Sequence, residues 1–365
     1  MKRRHNIEKA LHFLIKSVDN NTGGSSAFYS KFRNPFNGWS APYPETTGYI
    51  IPTFFEASKI EGYHYITQYA IKMADWIISL QYQDGALPGG LYQANNNNQG
   101  SIFNTAQMII GLVAAYQHTK KDKYIDSALK AAKWLSNNQE NDGTWKKFHY
   151  QKEFFPSYDT RVAWPMLQTG IICNDSQIQL AAIKTLDFIN KKTQSNGMIK
   201  DCGFKPDSYA FLHTIAYTIR GFLESYLLTK NEEYYNTAYN LANKLLRKFE
   251  LRKKLGGAYY ENFKEINWYR CLTGEAQIVI IWLKLFEITD DIRFVNTSSK
   301  LLDDLCKTQP MQNTLLLKSG GLKGSQPYFG RYISFRQPNW ATKFFIDAML
   351  LEETAYKNIE ETLKR

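Results

Sequence analysis

Two marks recur six times each along this chain, and they alternate. The first is a glycine turn: Gly23-Gly24, Asp84-Gly85, Asp142-Gly143, Asn196-Gly197, Gly256-Gly257 and Gly320-Gly321. Such dipeptides supply the positive φ that a reversing chain needs. The second is a threonine that opens an apolar run: Thr47, Thr105, Thr160, Thr214, Thr273 and Thr342. Both recur at intervals of 54 to 69 residues. A regular period of this kind indicates one supersecondary unit per repeat, none of which buries its apolar face alone.

The segments between the marks read as helices of two kinds. Those before the glycine turns are amphipathic: Ala70, Met73, Ala74, Ile77 and Ile78 form one stripe, and Ala238, Leu241, Ala242, Leu245 and Leu246 another. Those after the threonines are apolar nearly all round, as in Met108–Ala115 and Ile278–Leu283. A helix apolar on every side is buried. Six outer and six inner helices predict an all-α (α/α)6 toroid, a single domain over residues 1–365, with inner helices starting near the six threonines. Threonine there suits an N-cap, with a buried packing role as the alternative.

Loop lengths choose the working end. Inner-to-outer connections are short. Outer-to-inner connections are long, near 18–45, 82–103, 139–158, 193–211, 251–271 and 307–338. Long loops in a compact domain are usually functional. The run Asn95–Asn98 belongs to the second of them. Six helix N-termini converging on one mouth also favour anionic groups.

Composition narrows the partners. Lys+Arg number 45 against 34 Asp+Glu, a net charge of +11. That surplus suits anionic glycans, nucleotides, lipid head groups or nucleic acid, or else a basic solvated surface. Aromatic residues make up 15% of the chain, a supply for stacking on sugars as well as for cores. Cys173, Cys202, Cys271 and Cys306 form no CxxC pair, so reduced thiols are expected rather than a disulfide framework or a metal site. No metal or other cofactor is expected. Met1-Lys2-Arg3-Arg4 imitates the start of a signal peptide, but no apolar region follows, and no apolar run is long enough to span a bilayer. The expected compartment is the cytoplasm.

The inner-helix entrances hold the candidate residues. Glu45, Asp159 and Glu275 stand at entrances one, three and five. Paired carboxylates carry glycoside hydrolysis, one as acid and one as base or nucleophile. His213 with Tyr217, one turn on, is a rival acid/base unit suited to proton abstraction beside a uronate carboxylate. Arg161, Arg331, Arg336 and Lys343 suit an anion clamp. Trp39, Tyr43, Trp145, Tyr158, Tyr209, Trp268 and Trp340 offer aromatic surfaces, and Asn104, Gln107, Gln277 and Asn339 offer hydrogen bonds. Each has a structural alternative in the core or in a surface ion pair.

The repeat segment Gln139-Glu140-Asn141-Asp142-Gly143-Thr144-Trp145 resembles the repeats of squalene cyclases and prenyltransferases, and those of carbohydrate-active toroids such as unsaturated glucuronyl hydrolases and sugar epimerases. The segments Tyr43–Ile50, Tyr158–Trp164, Leu212–Tyr217 and Asn339–Phe345 resemble toroid proteins of bacterial exopolysaccharide and O-antigen biosynthesis. The Asp159 to Trp164-Pro165 stretch is similar to a glucuronyl-hydrolase entrance. There is no DxDD acid motif of the cyclases, no Asp-x-Cys zinc pair of the prenyltransferases and no Cys-His pair of lanthionine cyclases. These resemblances imply a carbohydrate-active enzyme of bacterial surface-polysaccharide metabolism, glycoside-hydrolase-like, on an acidic oligosaccharide. A uronate lyase or epimerase, an isoprenoid-processing toroid and a non-catalytic glycan-binding protein are the alternatives. Nucleic acid is not expected as a partner, and no membrane span is expected.

Overall fold

The computed structural model of the chain describes residues 2–93, 99–151 and 153–363, so the Asn95–Asn98 run lies outside the described residues. Among those described, twelve α-helices follow one another: α1 Arg4–Asp19, α2 Pro44–Ala57, α3 Ile66–Ser79, α4 Ile102–Thr119, α5 Asp122–Asn137, α6 Thr160–Ile172, α7 Ser176–Asn190, α8 Leu212–Thr229, α9 Glu232–Arg252, α10 Leu272–Thr289, α11 Ile292–Thr308 and α12 Asn339–Leu363. The even-numbered helices form a closed inner ring, each packed on the next, with α12 returning to α2. Each of α2, α4, α6, α8 and α10 also packs on the odd-numbered helix that follows it, and α12 packs on α1. This is the (α/α)6 toroid. In α10 every residue from Leu272 to Leu283 is buried, whereas α3 buries only Ile66, Ala70, Met73, Ala74 and Ile77. No helix among the described residues is long and apolar enough to cross a membrane.

The threonines depart from the expected N-cap role. Among the described caps of the inner helices are Tyr43, Ser101, Asp159, Phe211 and Cys271, none with a side-chain cap bond. Four of the six threonines instead sit within the first turn and bond outward. Three of those hold the chain just past a glycine turn. Thr47 Oγ1 accepts from the Ser25 amide at 2.9 Å, Thr105 Oγ1 from Leu87 at 3.1 Å, and Thr342 Oγ1 from Leu322 at 2.9 Å. The fourth, Thr160, donates to the Thr218 carbonyl of α8 at 3.1 Å, whereas Thr214 donates locally, to the Phe211 carbonyl. A hydroxyl at this place satisfies a buried amide that no regular element serves.

The glycines have an equally specific task. Gly85 and Gly143 have φ near +99° and +91°. A Cβ on Gly85 would lie 2.5 Å from the Lys130 carbonyl oxygen of α5, and one on Gly143 would lie 2.6 Å from that of Lys184 on α7. The turn after one outer helix therefore presses on the backbone of the next, which only glycine permits. In the first, second and sixth long loops, turn and threonine together tie the loop to the ring and deliver its far end to an inner-helix start.

Short strand pairs stitch these loops to each other. β1 (Phe28–Tyr29) pairs with β2 (Gln337–Pro338), bringing the first loop onto the last. The long loops thus make one continuous rim around the N-terminal ends of the inner helices.

Candidate active site

Within that rim lies a cavity of about 350 Å³, lined chiefly by aromatic side chains. Its walls come from several entrances: Tyr43, Glu45 and Tyr49 from the first, Phe103 from the second, His149, Tyr150 and Tyr158 from the third, His213 and Tyr217 from the fourth, and Tyr332 and Trp340 from the sixth.

Glu45 lies in the first turn of α2 and is buried. Tyr43 Oη donates to its Oε2 at 2.5 Å, and Asn104 Nδ2 donates to the same oxygen at 3.1 Å. Asn104 is itself oriented by Ser101 Oγ, 2.8 Å from its Oδ1. Burial pushes the Glu45 carboxyl up to about 7, against the pull of Tyr43 and the Arg161 charge. The group therefore stands between its two protonation states at neutral pH, as an acid/base catalyst requires.

Across the bore, α8 carries His213 and Tyr217. The inner ring runs α2, α4, α6, α8, α10, α12, so α8 lies opposite α2. The His213 and Tyr217 rings lie tilted against each other, with centroids 4.1 Å apart. Gln277 Nε2 donates to His213 Nδ1 at 2.7 Å. In the neutral ring that leaves the proton on Nε2. Burial, aided by the Arg161 charge, lowers the His213 pKa to about 3. With Nδ1 occupied and Nε2 protonated, His213 serves as a neutral hydrogen-bond donor. Tyr217 is held in its phenol form by burial, against the opposing pull of Arg161. The Arg161 guanidinium lies 4.4 Å from the Tyr217 ring centroid.

A third unit was not legible as such. His149 Nε2 is 2.9 Å from Asp159 Oδ2, with both side chains buried. Burial disfavours the imidazolium, but the Asp159 charge and hydrogen bond outweigh it, and the pKa is raised. His149 lines the cavity and Asp159 stands behind it. Asp159 directly precedes α6 without capping it; its carboxylate serves the imidazole instead. The available signal was position: His149 falls within the third long loop, between Phe148 and Tyr150. Tyr150, Phe103 and Tyr332 are further lining residues outside the sequence-based set.

The other expected residues take different places. Glu275 is fully buried and clamped by Arg270 through contacts of 2.8 and 2.5 Å. Gln107 and Arg161 bond to each other twice, at 3.0 Å each. Arg161 and Lys343 line a second cavity below a floor that includes Tyr49. Burial lowers the Lys343 pKa to about 8, with Asp347 opposing. Asn339 is wholly buried and donates to Ser17 and Ser25 hydroxyls, so it anchors the first loop. Trp39 packs between Phe13 and Tyr29 in the core. Arg331 sits at the rim over Tyr209 and Trp268. Trp340 donates to Tyr332 Oη at 2.8 Å. The four cysteines are free, and no group of three or more His, Cys, Asp or Glu suited to a metal ion occurs among the described residues.

Comparison with known proteins adds to this geometry. The family of the D-glucuronyl C5-epimerase C-terminus matches residues 91–205. No curated protein matches in sequence. A heparin-specific unsaturated glucuronyl hydrolase superposes with a TM-score of 0.73 at 15% identity, covering 96% of this chain and 97% of that one. The cellobiose 2-epimerase of Bacillus thermoamylovorans gives 0.73 at 14% identity, covering 96% and 98%. A sugar epimerase from a ruminal bacterium gives 0.76 at 10% identity, covering 97% of each chain. At such identities the likeness is one of fold.

Proposed function

We propose that this chain is a carbohydrate-active enzyme acting on an acidic oligosaccharide, and that it moves a proton at carbon 5 of a hexuronate residue. One observation carries the reading: Glu45 and Tyr217 face a single cavity from opposite walls, while Asp159 is withdrawn behind His149. A lone facing carboxylate is a poor basis for two-carboxylate hydrolysis. Two proton-carrying groups on opposite sides are what inversion at carbon requires.

The chemistry follows from the groups present. A hydrogen on carbon 5 is acidified by the neighbouring carboxylate once that carboxylate is hydrogen-bonded or paired with a cation. His213 Nε2–H and the His149 imidazolium are suited to that role. Ionised Glu45 takes the proton from one face, and the electron pair passes into the carboxylate. Tyr217 returns a proton from the other face, giving the inverted centre. Arg161 beneath the Tyr217 ring stabilises the phenolate so formed. Exchange of protons with water resets both groups.

Support comes also from the matched stretch 91–205, which contains Asn104, His149, Asp159 and Arg161. The structural neighbours include sugar epimerases as well as several hydrolases of unsaturated glucuronyl sugars. The proposal includes one working unit over residues 1–365, a cytoplasmic site, a role in bacterial surface-polysaccharide metabolism and a glycan rather than nucleic acid as partner. Hydrolysis is the second reading. It is favoured by the Glu45 pKa near 7, which suits protonation of a glycosidic oxygen, with His149–Asp159 activating water.

Incubation of a glucuronate-containing oligosaccharide in heavy water separates the two. Proton transfer predicts deuterium at carbon 5, both epimers and unchanged chain length. Glu45→Gln and Tyr217→Phe should each lose roughly 10² or more in turnover. New reducing ends without deuterium would replace this reading by hydrolysis. Neither change would end both.

A further inference from the structure

The groove does not stop at the rim of the cavity. Tyr43, Tyr150, Ile333 and Trp340 line both the cavity and an adjoining gap of about 220 Å³. Ile333 and Arg336 line both that gap and a wider depression of about 520 Å³. Three chambers therefore follow one another from the bore to the edge of the molecule. The outermost is walled by Arg33, Arg331 and Arg336 with Phe32 and Phe335. Its two walls are the first and last loops, held together by the β1–β2 pair.

Charge in the outermost chamber is unbalanced. None of its three arginines takes part in an ion pair among the described residues. The Nε of Arg336 is buried without a hydrogen-bond partner, and its guanidinium lies 5.0 Å from the Phe28 ring centroid. Arg331 is held over the Tyr209 and Trp268 rings at 5.7 and 5.8 Å. Aromatic faces orient a guanidinium yet leave its N–H fork open to an anion. Like charges gathered without acidic partners repel each other unless a ligand supplies the counter-charge.

We propose that this depression is an anion subsite, which takes the carboxylate or sulfate of an acidic sugar farther along the chain whose reacting residue occupies the cavity. The substrate class is then a polyanionic polysaccharide rather than a mono- or disaccharide. The inference rests on the functional reading above. Paired N–H donors match carboxylate and sulfate oxygens, and the Phe32 and Phe335 rings, 4.8 Å apart, offer apolar faces to the intervening sugars.

The test uses oligoglucuronates from disaccharide to decasaccharide. Deuterium exchange at carbon 5 gives kcat/KM for each length, and calorimetry on Glu45→Gln gives binding without turnover. The wild type should favour the long members. The Arg33→Gln/Arg336→Gln pair should lower the long-to-short ratio about tenfold and flatten its salt dependence. Because Arg336 is half-buried, Arg33→Gln/Arg331→Gln, both exposed, is measured beside it with a melting curve. Lys72→Gln on exposed α3 surface removes a charge elsewhere and should keep the ratio. A wild-type ratio in both arginine pairs, or no length preference in the wild type, overturns the subsite while the activity stands. Failure of every length to bind or exchange deuterium overturns the functional reading, and the subsite with it.

Discussion

Glu45 shows how a functional residue is set against stability. Its folded pKa of about 7 lies above the ordinary carboxylate value of 4.5. The folded state thus binds more protons than the unfolded state between those values, so stability falls as pH rises through the window. The integrated cost is up to about 3 kcal/mol, at roughly 1.4 kcal/mol for each tenfold change in proton affinity. Gln keeps the acceptor for Tyr43 and carries no charge. Glu45→Gln should therefore melt higher than wild type above pH 7, and the two should converge below pH 4.5. A wild type that matches or exceeds the variant at pH 8 would show that Tyr43 and Asn104 already compensate the ionised carboxylate. The dyad of His149 and Asp159 is the opposite case, a histidine whose charged form is favoured by a buried carboxylate.

At the scale of the helix, convergence of the entrances depends on how closely the inner helices cross. A Cβ on Gly111 of α4 would lie 2.2 Å from the Gly48 carbonyl oxygen of α2. In an isolated helix, Gly→Ala stabilises by up to about 1 kcal/mol through propensity. Overpacking against backbone costs typically about 1–3 kcal/mol. The second effect should win, because a carbonyl in a helix cannot turn aside. Gly111→Ala is expected to lower the melting temperature, and a melting curve equal to or above wild type would contradict so close a crossing. The same displacement would tilt α2, whose first turn carries Glu45, so turnover should fall more than stability alone explains.

The ring as a whole is closed by its termini. Arg3, just before α1, donates to both Glu352 oxygens on α12, at 2.6 and 2.9 Å, and to the Ser299 carbonyl on α11 at 3.3 Å. Arg3 and Glu352 are both buried. Breaking a buried pair from one side leaves an uncompensated charge, at a cost of roughly 3–5 kcal/mol. Arg4 and Glu8, two residues on the outer side of α1, form a pair that water and salt largely screen. Arg3→Ala should thus lower the denaturation midpoint strongly and Arg4→Ala hardly at all. Equal effects in chemical denaturation would mean that packing of α1 on α12, not the ion pair, closes the ring.

What the chain determined on its own is the count of helices, their division into two rings and the end at which the long loops gather. These follow from periodicity, since burial on one side or all sides is written into residue spacing along a helix. The placement of Tyr43, Glu45, Tyr158, His213, Tyr217 and Trp340 around one cavity was also within reach, because each stands at the start of an inner helix. Only the tertiary structure decided what each polar group meets. Successive helical residues point about 100° apart, so neighbours at one entrance part company. Arg161 goes under the floor while Asp159, two residues earlier, stays above it. Asp159 is met by His149 through the path of a loop, Glu275 by Arg270 from the strand before its helix, and Thr47, Thr105 and Thr342 by amides just past a preceding turn. Those partners are fixed by loop paths and ring closure, which no local pattern records.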